Sequence, residues 1–498
     1  MIQSKRMLFL FLICILPFCL LAGCGKKEDD TVEELYIYNS KGENAEQFEK
    51  IADEYEKVSG IQVKVVTIGS GTDHMATLRA EINSKQPPDI FTIQSISELQ
   101  EWKDGEIVVN FSDSDTLTPE FQELAQNIDP RLRLTTDGTN SYGVPYCIEG
   151  YGYIVDKQML ADLFGLETSN AIIEDIRLCS YEEWENLIKS IASYISNDQS
   201  AAITINGRLY NLASSKIGLA QNLTGIFAVA GDENGKWTYS DHMLNVALNA
   251  VFENPAAAKL ADELQIYSAQ NALIDYAKAL DLKTQYAAGE NGMITRGSDM
   301  ISTSNSYEAA IEKFSNSKAV FMKNGNWIYN NIKEQNPEMA ERLYFLPVKM
   351  PFKQEDITVE GYTVEQMNST IPVFVPMYYA INNNVSTAHQ QAAQDFLVWL
   401  NTSETGMKYI TEDFAFIPYN IDAETTTGDY SLATSIIDYF KLGHTLSDPY
   451  HGTPTSWSSN IVGKKLYEDY MTKENWTEAD YEDIARYAIK QWIDNLEE

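Results

Sequence analysis

The chain has 498 residues, with 72 acidic against 37 basic side chains and a formal charge of −35 at pH 7. So negative a field excludes nucleic acid and anionic lipid surfaces as natural partners. The length exceeds what one hydrophobic core serves, so two or more lobes are expected.

The first predicted element is a targeting segment. Lys5 and Arg6 precede the apolar run "MLFLFLICILPFCLLAG", which is short for a membrane span and ends in Leu21-Ala22-Gly23-Cys24. Small residues before the cysteine and a polar "GKKEDDT" stretch after it have the form of a bacterial lipobox. The expectation is a signal at residues 1–23, a diacylglyceryl group on Cys24 and a tether over 24–33; two acyl chains anchor stably where one is marginal. A signal peptide with a chance cysteine is the alternative. Removal of the signal leaves only Cys147 and Cys179 besides Cys24, which is no disulfide framework; two buried thiols or a single bridge are the options.

After the tether, "ELYIYNS" reads as a strand with a polar end. The helix "ENAEQFEKIADEYEKVSG" should bury Ala45, Phe48, Ile51, Ala52, Tyr55 and Val58 and stop at Gly60. The strand "IQVKVVTI", the helix "DHMATLRAEINSK" and the strand-forming "QPPDIFTIQS" complete a β-α-β-α-β pattern, hence a parallel sheet. Ligands of such sheets bind beyond the carboxyl ends of the strands. That rim would carry Asn39-Ser40-Lys41, Gly69-Ser70-Gly71 and Ile93-Gln94-Ser95. Further on, "YGVPYCIEGYGYIVD" is a long extended passage with Glu149 among apolar residues. Helical patterns dominate from Tyr181 to Leu282, with "DENGKWTYSD" as a turn or hairpin, and "AAGENGMITRGSDMISTSNSY" reads as a surface loop.

The stretch "KAVFMKNGNWIYNNI" is an apolar strand that ends in a glycine-containing turn and delivers Trp327 at the start of a helix. An indole there either plugs the core or lies across a cleft as a stacking surface. Two more extended passages, "STIPVFVPMYYAIN" and "AFIPYN", flank the helix "TAHQQAAQDFLVWLNT", for which Ser386 is a cap. The remainder from Ser431 is mostly helical.

Taken together, "FEKIADEYEKVSGIQVKV", "PPDIF", "YGVPYCIEGYGYIVDKQML", "KAVFMKNGNW", "LPVKMP" and "AINNNVSTAHQQAAQDFLVWL" resemble the carbohydrate-transporting extracellular solute-binding proteins, the family that includes the maltose-binding protein. The resemblance implies two α/β lobes joined by a hinge of two or three crossing segments with a cleft between them. The first lobe would comprise 34–146 and 372–418, the second 147–371 and 419–498. Much of the length beyond compact members falls between Thr168 and Thr303. The implied function is capture of a carbohydrate, an oligosaccharide by expectation, and its delivery to the permease of an ABC transporter by a lipid-anchored monomer.

The resemblance also assigns site residues. Trp327 matches the family's stacking aromatic and Asn326 adjoins it. Glu149 matches a hinge-adjacent acid that accepts sugar hydroxyls, and Tyr151 shares its strand face. Asn39, Lys41 and Gln94 fall at rim positions, and Trp457 in "HGTPTSWSSN" at a second stacking position for which core packing is the rival. Tyr378 and Tyr379 depart from the family's small residues, and either narrow the cleft or pack. No cofactor or metal is expected, because the five histidines show no ligand spacing and no GxSxG, HExxH, Walker or GxGxxG pattern occurs. The alternatives are an extracellular carbohydrate-active enzyme, since two carboxylates suffice for glycoside hydrolysis, and a binding lipoprotein for peptides or other small solutes.

Overall fold

A computed structural model describes residues 31–68, 74–112, 117–414, 416–419 and 430–496. The lipobox cysteine Cys24 and the Gly69-Ser70-Gly71 rim lie outside the described residues. Two main sheets organise the chain. In the first, the strand Glu34–Asn39 lies between Gln62–Thr67 and Ile90–Ile93, parallel to both; Tyr378–Ile381 and then Val144–Pro145 extend it antiparallel. The helix Ala45–Ser59 covers this sheet with Phe48, Ile51, Ala52 and Tyr55 and stops at Gly60, whose φ of +75° favours glycine. Val58 does not join that face: it is 67% exposed, because a helical stripe has turned away from the sheet by the last turn.

The second sheet is built on Glu149–Asp156, all eight of whose residues are buried. Phe321–Gly325 pairs with it antiparallel on one side, and Leu343–Leu346 and Ile371–Phe374 on the other. Strands buried on both faces read as continuous apolar runs, which is why "YGYIVD" shows no alternation. The second sheet is covered on both faces: Tyr151, Tyr153 and Val155 belong to one hydrophobic cluster, and Ile154, Met322 and Phe345 to another that also holds the core of the first sheet. The two sheets are separate, and each is the centre of one lobe.

The chain passes between the sheets at residues 146–148, at 375–377 and, among the described residues, again at 416–419. These passages hold one another: Tyr146 N donates to Met377 O at 2.9 Å and Ile148 N to Ile417 O at 3.2 Å.

Three local expectations are corrected. "DENGKWTYSD" is no hairpin but a 3-10 helix over Glu233–Thr238, because Asp232 accepts from the Gly235 amide and caps it. The hairpin lies instead at Ala202–Ile205 and Arg208–Asn211, turned by Asn206 and Gly207 at φ values of 49° and 72°. Asn-Gly is the pair that such a turn requires. The stretch read as a surface loop at 287–307 contains Arg296, which is 2% exposed. Its guanidinium pairs with Asp281 at 2.6 Å and donates to Thr284 Oγ1 and to the carbonyls of Asp281, Lys473 and Glu474. A buried arginine with this many acceptors ties the region 281–303 to the C-terminal helices. Cys147 and Cys179 are both buried, and neither forms a disulfide.

Buried Lys349 is compensated in the same way, by the carbonyls of Arg177, Cys179 and Asn368, but Lys283 is not. Burial lowers the pKa of Lys283 to about 7, and among the described residues its Nζ has only Met243 Sδ, 3.9 Å away, as a hydrogen-bond partner. The unfolded chain would carry the proton on this lysine up to roughly pH 10.4. Between about 7 and that value the unfolded state binds more protons, so the contribution of Lys283 makes stability rise with pH. Lys283→Met is therefore expected to be more stable than the natural chain near pH 7, by about 2–4 kcal/mol, with the difference shrinking towards pH 10. Urea unfolding of both proteins across this range checks it, and a difference independent of pH would contradict it.

Candidate functional site

The first lobe's contribution starts where the strand Glu34–Asn39 ends. Asn39 is fully buried; its Nδ2 donates to Lys41 O and Thr67 Oγ1, and its Oδ1 accepts from Lys41 N at 3.1 Å. This clamp fixes the turn, a common use of an Asn side chain. From it Lys41 extends to Glu149, with Nζ 3.2 Å from Oε1, and lies 5.3 Å above the ring of Phe416. Next to it Ser40 Oγ lies 2.6 Å from Thr92 Oγ1 and accepts from Gln94 Nε2 at 3.2 Å. Ser95 then caps the helix Ile96–Asp104 by accepting from Glu98 N.

The second lobe supplies Trp327. Its strand, Phe321–Gly325, is buried throughout, and a single turn of 3-10 helix over Asn326–Ile328 swings the indole back over the strand end. A Cβ at Gly325 would lie 2.0 Å from that ring, so only glycine lets the indole settle there. Asn326 Oδ1 accepts from Gly150 N at 3.0 Å, which locks the turn to the central strand. Trp327 is half-buried, with one side against His242, Trp237, Tyr151 and Phe374 at centroid distances of 5.2 to 6.5 Å.

Two cavities meet these residues. One of about 90 Å³ is lined by Lys41, Glu149, Asn326 and Trp327, with Phe414, Phe416 and Tyr430 among its other walls. A second of about 390 Å³ has Phe374, Tyr378, Gln94 and Arg131 on its walls together with Asp448 and His451. Each is lined from both lobes. A row of rings runs between them, from Trp327 to His242 at 5.2 Å, to Phe374 at 6.3 Å, to His451 at 5.7 Å. On the opposing lobe the bonded rim Lys41-Ser40-Gln94 likewise joins them, Lys41 lining the smaller cavity and Gln94 the larger, so both lie between the lobes with the ring row separating them.

The electrostatics of the pinch are set by burial. Desolvation first, then the neighbouring cations Lys323, His451 and Lys283, push the His242 pKa well below its ordinary value, so the ring is neutral. Lys323 is pushed down by burial as well, and its Nζ lies 4.9 Å above the Tyr151 ring. The middle of the cleft is therefore an uncharged aromatic wall, and its ends are polar.

Of the eight residues expected to bind ligand, the fold brings Lys41, Glu149, Asn326 and Trp327 together in the smaller cavity and puts Gln94 in the larger. Three do not reach either. Asn39 spends its amide on the turn that aims Lys41. Tyr151 is fully buried behind the ring row, stacked on His242 at 4.3 Å. Trp457 is fully buried in the second core: its Nε1 donates to Ala488 O at 2.7 Å and its ring packs on Trp492. For Trp457 the core reading replaces the stacking one. Tyr378 lines the larger cavity, whereas Tyr379 packs on Tyr146 at 4.4 Å. Sequence reasoning missed Trp237, His242, Tyr430, Asp448 and His451.

Comparison with known proteins places this architecture. No curated protein sequence matches the chain. Among solved structures, RafE from Streptococcus pneumoniae in its apo form has a TM-score of 0.59 at 15% identity, covering 94% of this chain and 98% of that one. A chitin oligosaccharide binding protein gives 0.60 at 15% identity over 94% and 100%. A Streptococcus pneumoniae solute-binding protein in complex with the blood group A-trisaccharide gives 0.56 at 14% over 93% and 100%. At these identities the likeness is one of fold. The family assignment comes from the sequence profile, since that of the bacterial extracellular solute-binding proteins matches residues 50–432. The chain belongs to the bacterial extracellular solute-binding protein family, whose members bind solutes and are not enzymes.

Proposed function

We propose that the protein captures a carbohydrate, an oligosaccharide, in the interlobe cleft and hands it to the permease of an ABC transporter while anchored to the membrane through a lipidated Cys24. Three of its structural neighbours support the class of ligand by what their structures are said to bind: chitin oligosaccharides, a blood group trisaccharide and, for RafE, raffinose. Among the described residues no helix is long and apolar enough to cross a membrane, which agrees with an anchor outside them.

The observation that carries the proposal is the setting of Trp327. A sugar presents hydroxyls around its rim and a weakly apolar C–H face, so a site for it pairs a flat ring with charged or amide groups. Trp327 meets Asn326, Lys41 and Glu149 around one cavity. That cavity, at about 90 Å³, is smaller than a ligand pocket of ordinary size, so binding there requires the lobes to part and close again about the ring. The crossing segments are short and mutually bonded, which confines such a motion to a few residues.

Trp327→Ala should weaken sugar binding roughly ten- to hundredfold, from a stacking contribution on the order of 1–3 kcal/mol. Isothermal titration with an oligosaccharide array measures this, and unfolding of the apo protein separates it from packing. A variant that melts lower yet binds its sugar as tightly as before would make the indole a core residue only. For the anchor, Cys24→Ala should release the protein from the membrane fraction, and its retention there in high salt would refute lipidation.

A further inference from the structure

Arg131 belongs to the first lobe but reaches the second. It is carried by the single 3-10 turn Pro130–Leu132, which Leu132, 2% exposed, fastens into the core of the first lobe. Asp129 caps that turn by accepting from Arg131 N at 2.9 Å. The same carboxylate grips the guanidinium with both oxygens, since Nε donates to Oδ1 at 3.0 Å and Nη2 to Oδ2 at 2.8 Å. A two-pronged bond of this kind fixes the plane of the group as well as its place. Nη1 is left over. It donates to Thr445 Oγ1 at 3.0 Å, and the guanidinium lies 4.6 Å above the ring of Phe440.

Both receivers are firmly held in the second lobe. Thr445 opens the short strand Thr445–Leu446, which pairs in parallel with Ile371–Phe374 of the second sheet. Phe440 lies in the last turn of the helix Ser431–Lys441, which is tied to the strand Leu343–Leu346 of that sheet. There Ser435 Oγ accepts from Phe345 N and Tyr439 Oη donates to Phe345 O, each at 3.0 Å. Arg131 and Thr445 line the larger cavity, and so do Val375 of a crossing segment and Tyr378 just beyond it. A rotation about the crossings that widens this cavity must therefore draw Arg131 off Phe440 and Thr445.

The charge balance suits a contact made to break. Asp129 neutralises the guanidinium from within its own lobe, so withdrawal strands no charge on either side. What is lost is one hydrogen bond and one ring contact, both modest at a side chain that is 47% exposed. We infer that Arg131 is a latch between the lobes: it holds the closed arrangement through Phe440 and Thr445 and sets how readily the cleft opens. Asp129 is the positioning residue that aims it. The latch acts on the lobes themselves, so it does not depend on the carbohydrate reading above.

The test reads the lobes directly, with no ligand added. Val58 and Leu264, one on each lobe, are 67% and 79% exposed, and Val58→Cys with Leu264→Cys gives each a spin label. Cys147 and Cys179 are buried, and Cys24 is replaced by Ser. Double electron–electron resonance on the mature chain then yields the distribution of interlobe distances. Arg131→Met keeps the stem and removes the fork, and should raise the ratio of open to closed molecules about three- to thirtyfold, seen as a population at longer distance. Thr445→Val keeps the shape and removes only the acceptor. It should act in the same direction by about threefold, and decides the matter if Arg131→Met does not fold. Adding Phe440→Leu to Arg131→Met should change little further, because both remove one contact. Distributions unchanged in the folded variants would overturn the latch. Shifts of Arg131→Met and Phe440→Leu that simply add would overturn it too, by making Phe440 a packing residue.

Discussion

Everything in this molecule depends on how the chain crosses between its two sheets. One passage of chain leads from the strand Val144–Pro145 in the first sheet to Glu149–Asp156 in the second, and both other crossings bond to its middle, at Tyr146 and Ile148. The cleft polar groups are placed by this ribbon. Glu149 is the first residue of the strand in the second sheet, so it sits at the junction, where Lys41 of the first lobe can reach it. The pair is nearly enclosed, with side chains 10% and 9% exposed, and a buried pair is weak evidence for stability because desolvation opposes its attraction. Its value lies elsewhere. Parting the lobes would rehydrate both groups, so the pair resists opening less than an apolar contact of the same area would.

The parts of the fold legible in the sequence were those set by local pattern. Phe48, Ile51 and Tyr55 recur at helical spacing and are buried, and Ser386 caps its helix by accepting from His389 N. Unalternating runs such as "YGYIVD" and "FMKNG" proved to be strands covered on both faces. Where the pattern failed, a local cap won in one place and a tertiary contact in the other. "DENGKW" has hairpin chemistry, but the Asp232 carboxylate found the Gly235 amide. The polar stretch around Arg296 reads as solvated, yet Asp281 and two C-terminal carbonyls draw it inside.

The site divides in the same way. Trp327 and Asn326 were readable because a glycine turn and an indole are adjacent in sequence, and the Gly325 contact that aims the ring is local too. Lys41 was readable from its strand end. Asp448 was not, for it is one of 72 acids and nothing around it marks its burial. Its loop is held by Asn245 and Asn249, some two hundred residues earlier. Tyr151 and Trp457 show the converse error. Tyr151 was expected in the cleft from the strand face it shares with Glu149, and Trp457 from the resemblance, but here one is sealed behind His242 and the other is spent on Ala488 and Trp492.

The contrast between the ends of the cleft and its middle follows from where charge can be afforded. The surface carries the bulk of the acids, and mobile ions screen them beyond about 10 Å. Inside, the cations nearest the ring row, Lys323 and Lys283, are driven towards neutrality by desolvation, and His242 with them. A neutral aromatic partition can slide or part without stranding a charge, whereas Lys41 with Glu149, and Asp448 with His451, each keep an opposite partner at hand at either end. A polar, uncharged solute with apolar faces suits such a partition better than an ion would, because an ion would lose its hydration against neutral rings that offer it no opposite charge.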